Sequence, residues 1–229
     1  MNSIRYALIA DMVGSRRAGD HRQVHRQVER ALEDINRHFA QSLWAPVGLT
    51  KGVDELSAAL ITGAPAYDLA CRLNLLIHPL RFRFAVGWGE VFSLKSNGGP
   101  GALDGSAYHA AAAALERARQ ERIPLALSGY HGDVAPRARA VEALAALHTT
   151  LRDEWSPVEA AIAQAMQAHP DATQSELARR TRRTQQAVSR ATVRGNFKVL
   201  ARAEASIREM LADIHLRSNQ SGASDDGRS

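Results

Sequence analysis

The stretch Arg81-Phe82-Arg83-Phe84-Ala85-Val86-Gly87-Trp88-Gly89-Glu90-Val91 alternates large apolar residues with charged or small ones. Successive strand side chains point to opposite faces, so Phe82, Phe84, Val86 and Trp88 share one side and Arg83, Ala85, Gly87 and Gly89 the other. One face therefore belongs to a core, and the other is unusually bare near its end. Working outward, the apolar run 4–10 ends in Asp11 and reads as a buried strand. Residues 20–41 carry Val24, Val28, Ala31, Leu32, Ile35 and Phe39 at helical spacing. Residues 44–50 and 56–62 form a hairpin around Lys51-Gly52-Val53-Asp54-Glu55, and 66–77 is a helix between prolines. Beyond the strand come a glycine-rich loop (96–101), an alanine-rich helix (105–119) and a short strand (123–128). This β-α-β-β-α-β-α-β order predicts an α+β domain of the ferredoxin-like type, a mixed or antiparallel sheet with helices stacked on one face.

The 229 residues suffice for one such domain and a small module, and 45% hydrophobic with 23% charged residues is ordinary globular composition. No apolar run approaches the ~20 residues needed to span a bilayer, and the N-terminus lacks a signal-peptide pattern, so a cytoplasmic protein without membrane contact is expected. The single cysteine, Cys71, excludes an internal disulfide and a cysteine-cluster zinc site, and its apolar helical setting reads as core.

Charge divides the chain unevenly. Residues 172–217 hold ten Lys/Arg against four Asp/Glu, whereas residues 1–171 hold eighteen of each. The whole excess of +5 thus comes from the last quarter of the chain. The same region contains a helix-turn-helix pattern from Gln174, with Ala178 where two helices touch, Arg182 in the turn and Val188 burying the second helix. That helix, 184–193, is expected to enter a DNA major groove with Thr184, Gln185, Gln186, Ser189 and Arg190 outward. Gln suits adenine edges and Arg suits guanine. Arg182, Arg183, Arg194 and Lys198 are the expected phosphate contacts. A lone helix-turn-helix usually reads one half-site, which points to a homodimer. The expected divisions are 1–135, a helical region 136–217 carrying the all-α helix-turn-helix module, and a disordered tail 218–229.

Asp11 ends a buried strand, where an unpaired carboxylate is costly, and Asp54 and Glu55 crown the neighbouring hairpin. Acids converging from adjacent strand ends suit Mg²⁺, with Gly14, Ser15 and Arg16 placed to hold a phosphate. A turn-capping Asp and an exposed acidic hairpin tip fit the same residues, and spacing leaves both readings open.

The elements Ala10-Asp11-Met12-Val13-Gly14-Ser15-Arg16, then 50–56, then Phe84-Ala85-Val86-Gly87-Trp88-Gly89-Glu90, then Leu103-Asp104-Gly105-Ser106-Ala107-Tyr108-His109 resemble, in order and spacing, the SatD family of bacterial proteins. The resemblance covers most of the chain, C-terminal helix-turn-helix included. It implies a palm domain with the sheet order of class III nucleotide cyclases and GGDEF domains. Asp11 and Asp54 match the two metal-binding positions of such domains, and His109 matches a polar position near the reacting phosphate. Gly87, Gly89, Asp104 and His109 join Gly14, Ser15 and Arg16 as expected nucleotide contacts. The chain departs from the pattern at Val53, where a glycine is usual. It departs again at Ala111-Ala112-Ala113, where an Arg that stabilises a transferring phosphoryl group is expected. Arg117 or Arg119 lies about one turn further on. Three readings follow. The first is a DNA-binding transcriptional regulator whose N-terminal domain binds a nucleotide or phosphate ligand with Mg²⁺. The second is a Mg²⁺-dependent nucleotide cyclase or nucleotidyltransferase, and the third a non-catalytic dimerisation scaffold.

Overall fold

The computed structural model describes residues 3–14, 21–52, 54–94, 102–130, 132 and 134–225. Strand β1 (Ser3–Met12) is followed by α1 (His21–His38), β2 (Leu43–Lys51), β3 (Glu55–Leu60), α2 (Ala66–Leu76) and β4 (Phe82–Leu94). The strands lie in the order β2-β3-β1-β4, with β1 antiparallel to both β3 and β4. This is the split β-α-β arrangement expected from the sequence. Strand β4 then pairs with short β5 (Ala102–Asp104) at its C-terminal end and, in parallel, with β6 (Leu125–Ser128) along its first half.

Strand β1 is buried on both faces, which is why it reads as a continuous apolar run. Tyr6, Leu8, Ala10 and Met12 join Phe82, Phe84 and Val86 in the main core beneath α1 and α2, as the helical stripe of α1 predicts. The opposite face carries Ala7, Ala59, Ala85 and Ala126, and here the expectation of helices on one face fails. Helix α3 (Ser106–Glu121) lies on that second face through Ala107, Ala111, Ala114 and Ala118. The bare side of β4 is its seat. A Cβ on Gly87 would stand 2.1 Å from the carbonyl oxygen of Ala107, and one on Gly89 would stand 2.5 Å from Ser106 Oγ.

The C-terminal half is tied to the sheet. Helix α4 (Val134–Asp153) and helix α8 (Phe197–Asp225) place Val134, Val141 and Ala145, and Ile207, Leu211 and Ile214, in the same core as β1. Helices α5 (Pro157–Ala168), α6 (Gln174–Thr181) and α7 (Gln185–Arg194) build a second cluster from Ile162, Leu177, Val188 and Phe197, joined by Leu75 of α2. Helix α8 also runs to Asp225, past position 218 where the sequence reading begins a disordered tail.

Candidate functional site

The register of β1 sets Asp11 opposite Glu55 on β3 and opposite Arg83 on β4, so all three project from the α3 side of the sheet. Arg119, in the last turn of α3, donates its Nε to Asp11 Oδ2 at 3.0 Å. Arg83 Nη1 stands 3.7 Å from the same oxygen. The other oxygen, Oδ1, is buried and has no hydrogen-bond partner. A buried carboxylate oxygen without a donor is costly, so the site calls for a proton donor or a cation there. The oxygen chemistry of Asp11 and Glu55 suits a hard divalent cation. Arg119 is the group such an ion would share the carboxylate with. Asp54 is exposed at the hairpin, and its backbone carbonyl accepts from the Met12 amide at 2.8 Å. Gly14, at φ +72, follows in the turn, whereas Ser15 and Arg16 lie outside the described residues.

The basic region holds two short helices, α6 and α7, joined by a tight turn. Two capping boxes start α5 and α6: Ser156 with Glu159, and Thr173 with Glu176. Between α6 and α7, Arg182 takes a left-handed conformation at φ +53, a position that usually favours glycine. Arg183 then closes the turn by donating its amide to Ala178 O at 2.8 Å. Ala178 and Val188 are buried between the two helices, and Arg182, Arg183, Thr184, Gln185, Gln186 and Arg190 are exposed, with Ser189 partly so. Thr184 is the N-cap of α7, its hydroxyl accepting from the Ala187 amide at 3.1 Å, which commits it to the helix end.

The family model described as the SatD family matches residues 5–211. The chain belongs to the SatD family. No curated protein matches it. Among solved structures, one titled as a bacterial light-regulated adenylyl cyclase shares 18% identity at TM-score 0.41, covering 56% of this chain and 76% of that one. A second structure under that description gives the same identity and score over 43% of its own length. The catalytic core of a rhodopsin-guanylyl cyclase with converted specificity, in complex with ATPαS, shares 16% at TM-score 0.37, covering 50% of this chain and 72% of that one. Likenesses at these scores carry no activity across to the SatD chain.

Within this SatD protein the residues predicted to meet around a nucleotide fall into two groups. Gly14 lies beside Asp11. Asp104 and His109 lie at the other end of α3, and the ten residues from His109 to Arg119 correspond to about 15 Å of helix. Asp104 Oδ1 accepts from the Gly105 amide at 2.7 Å and is 3.7 Å from His109 Nε2, whose ring is exposed. Gly87 and Gly89 are covered by α3, so their bareness serves helix packing rather than the approach of a ligand. Ala111 is buried against the sheet while Ala112 and Ala113 face solvent, and no arginine replaces them there. Of the two arginines further along, Arg117 is committed elsewhere. Its Nη2 donates to Glu142 Oε1 at 2.5 Å and to Leu127 O at 3.2 Å, joining α3, α4 and β6. Arg119 turns to Asp11, a pairing across 108 positions that no local pattern signals. Arg194, expected on phosphate, donates its Nε to Glu159 Oε1 at 2.5 Å while its side chain stays largely exposed. Lys198 remains exposed. No helix among the described residues is long and apolar enough to cross a membrane.

Proposed function

We propose that this SatD protein is a DNA-binding regulator whose N-terminal palm-like domain binds a nucleotide or related phosphate ligand, with Mg²⁺ at Asp11 and Asp54. The observation that carries the DNA half is the α6–α7 pair. Two short helices joined by a tight turn present Gln185, Gln186 and Arg190 to solvent, with Ser189 partly exposed, within residues 172–217, which hold ten Lys/Arg against four Asp/Glu. Direct readout needs such a helix with side chains that match base edges, and phosphate neutralisation needs the surrounding arginines. A half-site reader gains from pairing, so the acting species in this reading is a homodimer. Titration of the full chain against a random duplex library, followed by selection of the bound fraction, tests it. Enrichment of a sequence motif supports the reading, and absence of DNA binding at low salt refutes it.

A second reading is a Mg²⁺-dependent nucleotide cyclase or nucleotidyltransferase, favoured by the unpartnered Asp11 Oδ1. Against turnover stand the alanines at 111–113 and the commitment of Arg117 to Glu142. Incubation with Mg²⁺ or Mn²⁺ and each nucleoside triphosphate separates the two: release of pyrophosphate and a cyclic or transferred product establishes an enzyme, whereas binding without product leaves a sensor.

A further inference from the structure

The side chains of Cys71 on α2, His148 on α4 and Glu204 on α8 meet where the last helix docks on the palm-like domain. We propose that they form a binding site for one divalent transition-metal ion of the zinc class. One ligand atom from each lies within 4.8 Å of the other two, so a single point lies within about 2.8 Å of all three, against the 2.0–2.3 Å bonds that zinc makes. Thiolate, imidazole and carboxylate are the donors that such ions choose, and magnesium or calcium would not choose this sulfur.

The second observation is the state of the histidine. His148 is buried and its Nε2 stands 3.0 Å from Glu204 Oε1, yet no hydrogen bond joins them. By distance the contact is an ion pair, but by direction the ring nitrogen is aimed past the oxygen, and the direction decides whether a proton is shared. On the far side of the ring, Nδ1 stands 2.8 Å from the Tyr67 hydroxyl, which also reaches the Ala145 carbonyl at 3.3 Å. With Nδ1 carrying the ring proton toward Tyr67, Nε2 presents a lone pair to the carboxylate, and a cation between the two would satisfy both. A ring that donates Nδ1–H to an orienting partner while Nε2 binds metal is the usual support for a histidine ligand.

Charge and access agree. A bound metal would supply the charge that makes the Cys71 sulfur a thiolate. Arg152 borders the ligand set: its Nη1 stands 3.9 Å from Glu204 Oε1, and its guanidinium is held by the Cys71 carbonyl at 3.0 Å and by the Trp155 ring. It lines a cavity of about 340 Å³ that also reaches Cys71 and Glu204, which gives an ion its way in and room for a fourth, anionic ligand beside the guanidinium. The site would clamp α8 onto α2 and α4, and it stands independently of the DNA and nucleotide readings.

The test uses the full chain without an affinity tag, stripped by chelation under reducing conditions and titrated with Co²⁺. One equivalent should give a thiolate-to-cobalt charge-transfer band with tetrahedral d–d absorption. Zn²⁺ should then bleach both and raise the melting temperature. Cys71→Ala, a change a small core position tolerates, should lose the charge-transfer band. Glu204→Gln should weaken Co²⁺ binding at least tenfold. Absence of the band from the parent chain, or its persistence in Cys71→Ala, overturns the proposal and leaves a buried His–Glu contact only.

Discussion

Arg119 Nε and Asp11 Oδ2 are 3.0 Å apart, which ties the last turn of α3 to the C-terminal end of β1 and puts a fixed positive charge beside the one carboxylate that ends a central strand. Removing Arg119 leaves Asp11 with the more distant Arg83 and one orphaned oxygen. Arg119→Ala should therefore cost about 1 kcal/mol in urea unfolding without metal, since the lost bond is charge-assisted but half exposed. Mg²⁺ should recover part of that loss if it takes over the carboxylate. Identical curves with and without Mg²⁺ would remove the ion from this site.

If Asp11 and Asp54 share an ion, neither suffices alone, because one carboxylate holds Mg²⁺ weakly. Asp11→Ala and Asp54→Ala should each abolish metal-dependent nucleotide binding in calorimetry, with circular dichroism unchanged. Unchanged heats in both variants would sink the shared site.

Base reading and phosphate contact are separable by sequence dependence. Arg190→Ala should cost about 1–3 kcal/mol on a selected site and little on random duplex. Arg183→Ala should weaken both alike and lower the salt slope by about one. Equal losses for Arg190→Ala on the two duplexes would place it on the backbone.

Gly87 has no room for a side chain, because the backbone of α3 occupies it. Gly87→Ala should cost roughly 3 kcal/mol through overpacking, with Gly14→Ala, which meets nothing nearby but sits at positive φ, costing about 1 kcal/mol. Chemical denaturation of both variants checks the order.

Burial pushes the Glu159 carboxyl up, but the bonds from Arg194 and Ser156 outweigh it and hold it below the usual carboxylate range. A depressed carboxylate stabilises the fold above its ordinary range and loses that contribution as the pH falls through its lowered value. The melting temperature of Glu159→Gln should accordingly lie below the parent's at neutral pH, and the gap should narrow as the solution is acidified. A gap independent of pH would show that the ion pair with Arg194 does not carry it.

What the sequence determined by itself was whatever depends on neighbours in the chain. The alternation from Phe82 to Trp88, the stripe from Val24 to Ile35 and the capped helices around Arg182 are written in two- and four-residue periods and in side chains that bond their own backbone. They placed the strands, the split β-α-β order and the two-helix module. Only the tertiary structure decided what lies across the bare glycines. It also decided which arginine meets Asp11 and which helix end Arg194 holds, and it assembled Cys71, His148 and Glu204 from three helices. Arg117 and Arg119 sit two positions apart and so point about 200° apart around α3, one toward Glu142 and one toward Asp11. Which goes where is set by how the helix is rotated on the sheet, and that rotation is fixed by the Ala107 and Ala111 backbone closing on Gly87, a contact no local pattern encodes.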